Sequence, residues 1–176
     1  MVREMATGAV FMTVFGLIWV VWGIWLLKLP VRLSLALYIA AMVIAASLFA
    51  VEIPRLYQPS TAAEQIHWHD LRSRFVLINV LQYTGIAVAV GVCLRLRRRD
   101  LLPPALSLIV GVHFIPLAGL FGFPPFYAVA AAITLLDLGA MLLLTSPVRE
   151  STCALGTGCV LWLSSLFVLL RSASQV

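Results

Sequence analysis

Apolar runs of about 20 residues, long enough to cross a bilayer core as a helix, recur six times along the chain. They cover roughly 6–27, 33–53, 75–94, 101–121, 127–144 and 153–170, and short stretches rich in charge, proline or glycine separate them. Connections this short set consecutive helices antiparallel. The pattern therefore predicts an all-α, polytopic membrane protein built as a six-transmembrane-helix antiparallel bundle. The first run is too long for the apolar part of a signal peptide and lacks a small-residue cleavage site, which marks it as a membrane span. One connection breaks the pattern: residues 54–74, PRLYQPSTAAEQIHWHDLRSR, are strongly polar. Thr61 followed by Glu64 has capping-box spacing, so a helix is expected over 61–73, lying at the membrane surface and leading into the third span. It sets His67, Asp70 and Arg74 along one face, with Glu64 next to His67, and turns Ile66 and Trp68 toward lipid or core.

Composition agrees with the periodicity. Hydrophobic residues make up 62% of the 176, charged residues only 11%, and the mean hydropathy is +1.06. Soluble domains sit near 45–50% apolar and about 25% charged, so a single integral membrane domain over 1–176 is expected. Twelve Lys and Arg against seven Asp and Glu give a net charge of +5, most of it in turns. There it reads as topology signal and lipid-headgroup contact rather than as a nucleic-acid footprint. The densest run, RLRRRD at 95–100, is placed on the cytoplasmic side together with the Lys28–Arg32 turn and Arg149, which puts both termini outside. The arginine excess over lysine suggests a bacterium with a GC-rich genome, and hence a multi-pass protein of the inner (plasma) membrane.

Polar residues inside spans are costly in hydrocarbon and are the first candidates for function. His113 lies some 15 Å into the fourth span, near the bilayer midplane, and Pro116 just after it frees the Val112 carbonyl and predicts a kink or notch. Asp137, some 15–20 Å into the fifth span, needs a partner; on the preceding antiparallel helix that partner is His113, about 5 Å away in depth. Such a pair is either a structural hydrogen bond that fixes the hairpin or an acid–base couple facing a substrate. Asn79, Gln82 and Tyr83 share one stripe of the third span and are expected to point inward, as interhelical glue or as groups that orient a ligand. Trp19, Trp22 and Trp25 recur every third residue: Trp25 reads as interfacial, while Trp19 and Trp22 form either an aromatic belt or a stacking wall for a cationic or unsaturated ligand. Glu52, before the helix-ending Pro54, either reaches headgroup water and pairs with Arg55 or stands at the rim of a pocket.

The second span repeats alanine at small-xxx-small spacing, as packing helices do, and self-association into a homo-oligomer is compatible with it. The sixth offers packing and little chemistry. Cys93, Cys153 and Cys159 lack redox or metal spacing and are expected as small buried groups. His67-x-His69 fits a strand better than a helix, and HExxH, CxxC, GxSxG and phosphate-loop patterns are missing, so neither a metal nor a cofactor is expected. The run Gly111-Val-His-Phe-Ile-Pro-Leu-Ala118 resembles the GxHFxPLA stretch of small, uncharacterised six-span bacterial membrane proteins, a resemblance that covers about one span and implies no activity.

Together these features favour a polar midmembrane pocket acting on an apolar small molecule. The expected chemistry is acid–base isomerisation or cyclisation of an isoprenoid- or lipid-like substrate, with His113, Asp137 and Glu52 as catalytic groups. Asn79, Gln82, Tyr83, Trp19 and Trp22 would hold the substrate, and the bilayer is the other expected partner. The same residues also suit a small-molecule transporter, a substrate-binding subunit, or a structural partner of a membrane complex.

Overall fold

The computed structural model describes the backbone over 2–57 and 62–173 and the side chains over 7–57 and 71–171. Its helices are α1 (Val2–Leu26), α2 (Val31–Leu56), α3 (Ala62–Arg95), α4 (Leu102–Phe121), α5 (Pro125–Leu143) and α6 (Val148–Ala173), with one short 3₁₀ turn at Arg99–Leu101. Each includes a segment long and apolar enough to cross a membrane. The expected surface helix and third span form one unbroken helix, α3. Thr61 and the side chains of Glu64, Ile66, His67, Trp68, His69 and Asp70 lie outside the described residues, so the capping pair and the polar face expected there are untested.

Turn chemistry sets the boundaries. Gly122 caps α4 in the left-handed region at φ 57°, which glycine adopts without strain, and Pro125 opens α5, where a missing N–H costs nothing. Two prolines inside helices behave differently from the sequence expectation for one of them. Pro54 does not end α2, which continues to Leu56, and α4 runs through Pro116. Freed backbone groups are tolerated in membrane helices when neighbouring elements re-satisfy them.

The helices do not pack as a closed ring. The closest pair is α1 against α6, antiparallel, with α2 laid outside α1. On the other flank, α4 and α5 form a hairpin against α6, and α3 packs on α4. Glycines permit the α1–α6 approach: a Cβ at Gly16 would sit 2.5 Å from Cδ1 of Trp162, and one at Gly158 only 2.8 Å from the Gly16 carbonyl oxygen. Of the alanines in α2, Ala41 and Ala45, one turn apart, are buried against the cluster containing Val20, Ile24 and Trp162. The main core joins Met12 and Trp19 of α1 to Phe114, Leu117, Val129 and Ile133 of the α4–α5 hairpin. Cys93 and Cys153 are buried, whereas Cys159 is exposed on the outer face of α6, contrary to the expectation for all three. We call the end holding the α1–α2, α3–α4 and α5–α6 turns the arginine-rich end, and the other the terminal end.

Candidate functional site

Buried polar side chains gather at two stations. The first joins α1, α2 and α6 near the terminal end. Glu52 is fully buried, and its Oε1 accepts hydrogen bonds from Thr13 Oγ1 at 2.6 Å and Ser165 Oγ at 2.5 Å. The two hydroxyls are 3.1 Å apart, and the Trp162 indole N–H donates to the Thr13 carbonyl at 3.1 Å, tying the station to the tight α1–α6 crossing. Glu52 Oε2 has no hydrogen-bond partner among the described residues. Glu52 therefore does not reach headgroup water. The continuation of α2 past Pro54 holds it inside the bundle, and Arg55, one turn further out, donates to the Leu169 carbonyl at 2.9 Å instead.

The second station joins α4, α5 and α6 near the arginine-rich end. Asp137 is fully buried, with the Ser107 hydroxyl and the Cys153 thiol facing its carboxyl. Ser107 is hydrogen-bonded to Thr157, both fully buried, and neither Asp137 oxygen completes a hydrogen bond among the described residues. Outward of it, Arg149 donates from Nη2 to Asp100 Oδ2 at 2.7 Å, a carboxylate that Arg98 also holds, and buries an Nε with no hydrogen-bond partner among the described residues.

Helix α6 supplies residues to both stations along one row with four-residue spacing: Cys153, Thr157, Leu161 and Ser165, all buried. From Cys153 to Ser165 this row covers about 18 Å of helix rise. Leu161, 2% exposed, is its single apolar member.

His113 does not join Asp137. Gly111 packs against Ile133 and Thr134, a register that sets Asp137 level with Ser107, about 9 Å along α4 from His113. The faces diverge as well: Ser107 and Gly111 look toward α5 and α6, whereas His113 is one turn beyond Ile109, which meets Gly85 of α3. The half-buried imidazole makes no hydrogen bond with a described residue and packs edge-on to Phe114, ring centroids 6.3 Å apart. Phe75 against Phe121, centroids 5.9 Å apart, completes the α3–α4 register and brings Asn79 and Gln82 beside the His113–Pro116 stretch. Asn79 donates to its own helix at Phe75 O, 2.8 Å. Tyr83 is 57% exposed to the lipid side rather than turned inward, because α3 has one main neighbour and buries only a narrow strip.

Trp19 is 7% exposed and packed inside the core, its ring centroid 5.3 Å from that of Trp22, so it presents no free face to a ligand. Trp22 with Trp25 and Tyr38 walls an apolar groove of about 550 Å³ between α1 and α2, and a second groove of about 330 Å³ lies between α5 and α6. Both are open and apolar, and neither is lined by His113, Asp137 or Glu52. Among the described residues no three His, Cys, Asp or Glu side chains come together.

No known protein family, curated protein or solved structure matches the chain. The site must be read from its own chemistry. Of the groups that form the stations, sequence reasoning singled out Glu52 and Asp137 and missed Thr13, Ser107, Thr157 and Ser165. The visible signal was the four-residue spacing of Cys153, Thr157 and Ser165.

Proposed function

We propose that the protein moves protons across the membrane, taking them up and releasing them at Asp137 and Glu52. The observation behind this reading is that two carboxyl groups, each fully buried and each retaining an unpaired oxygen, stand near opposite ends of one row of α6. A buried carboxylate with no cation beside it, hydrogen-bonded on one oxygen as at Glu52 or on neither as at Asp137, calls for a proton or a counter-cation, so each station changes charge by exchanging one. Hydroxyls both donate and accept, so Thr157 and Ser165 can each take up one proton as they release their own and then rotate back; one carboxylic acid loses a proton, the other's carboxylate gains one, and every relaying hydroxyl ends as it began. Leu161 cannot donate or accept, and it separates the stations until water enters or the helix shifts. The imidazole–carboxylate couple expected of His113 and Asp137 is not formed, because the two face different neighbours.

The test is reconstitution in vesicles loaded with a pH-sensitive dye, with a potassium diffusion potential as the driving force. Wild type should acidify the lumen faster than empty vesicles, and Glu52→Gln and Asp137→Asn should each return the rate to the empty-vesicle level while eluting as folded protein. Equal rates for wild type and both variants would sink the reading.

A further inference from the structure

We propose that Asp137, Ser107 and Thr157 form a binding site for a small monovalent cation of the sodium class, with the Cys153 sulfur at its edge. This deepens the transport reading and rests on it in one respect: a cation that displaces the Asp137 proton turns proton movement into exchange.

Three observations carry the assignment. The Asp137 carboxyl is fully buried with both oxygens unpaired among the described residues, although the Ser107 hydroxyl and the Cys153 thiol face it. At the Glu52 station both hydroxyls donate to the carboxylate, whereas Ser107 and Thr157 share one hydrogen bond with each other and both keep lone pairs that a cation can use. The donors are hard oxygens: both carboxylate oxygens and the facing Ser107 hydroxyl, with the Thr157 hydroxyl that bonds Ser107 as the fourth, a set that suits a hard cation.

Charge sets the valence. Asp100 holds both Arg98 and Arg149, so neither guanidinium is given to Asp137, and a single carboxylate with both oxygens unpaired among the described residues calls for a single positive charge. The exchange balances: the carboxylic acid of Asp137 releases one proton as one sodium ion binds its carboxylate.

The experiment follows thermal unfolding of the detergent-solubilised protein while sodium chloride replaces N-methylglucamine chloride at constant ionic strength. Because a ligand bound only to the folded state raises its stability by mass action, the midpoint should rise with sodium and saturate. Asp137→Asn should remove the rise, and Glu52→Gln should keep it. Ser107→Ala, the milder change because it keeps the carboxylate, should raise the half-saturating sodium concentration by about tenfold, the loss of one charge-assisted contact. A midpoint that does not respond to sodium or lithium, or a response intact in both Asp137→Asn and Ser107→Ala, overturns the proposal. A saturable, Asp137-dependent response in protein that moves no protons supports the site and removes the transport reading; proton flux with no sodium response does the reverse.

Discussion

Glu52 and Asp137 are buried to the same degree, yet their surroundings treat them differently. Thr13 and Ser165 direct their hydroxyls at one oxygen of Glu52, while Ser107 bonds Thr157 and neither oxygen of Asp137 completes a hydrogen bond among the described residues. The Glu52 station is also fastened from outside, by the Trp162 indole on the Thr13 carbonyl and by Arg55 on Leu169. Burial alone therefore does not define a site. What the neighbouring donors are already doing decides whether a carboxyl group is held in place or left available.

The comparison breaks most sharply at the α1–α6 crossing. Gly16→Val places new atoms where a Cβ would already lie 2.5 Å from Trp162, and should cost about 3 kcal/mol, the upper part of the usual range for overpacking. Because α1 supplies Thr13 and nothing to the Asp137 station, proton flux should fall while any sodium-dependent rise in the melting midpoint persists. Loss of both together would show that the stations are not separable. A finer test removes one hydroxyl from each. Thr13→Val should destabilise by about 2 kcal/mol, since it takes a donor from a buried carboxyl, and Thr157→Val by about 1 kcal/mol, since it breaks a bond between neutral groups. Equal losses in denaturant titrations would erase the distinction. The smallest effect belongs to His113→Ala, whose ring is only half-buried and makes no hydrogen bond with a described residue. Polar contacts between membrane helices average about 0.6 kcal/mol, so stability should change by less than 1 kcal/mol and flux should match wild type.

The fold was legible because six apolar runs leave a chain of this length few alternatives, and because short turns force antiparallel neighbours. Glu52 and Asp137 stood out as charges in hydrocarbon. Their partners did not, for a physical reason that Ser164 and Ser165 make plain. Hydroxyls in membrane helices commonly bond the carbonyl one turn back, as Ser47, Thr84 and Ser164 do here. Ser165, the next residue, bonds Glu52 instead, a difference set by the neighbour each one faces and not by its own chemistry. His113 misled for a related reason. Depth along a helix can be counted from a sequence, but the identity of the facing helix cannot, and α4 turns His113 toward α3.

Helix α6 completes both stations, and that has a consequence for how the protein is made. The ribosome delivers α6 after the five other spans, so Glu52 and Asp137 enter the bilayer before Ser165, Cys153 and Thr157 exist to surround them. Each carboxyl must wait in an unfinished bundle, and a nascent chain stalled before α6 presents two unsatisfied acids to the machinery that inspects membrane proteins. Synthesis of α6 is thus the step that encloses both carboxyl groups.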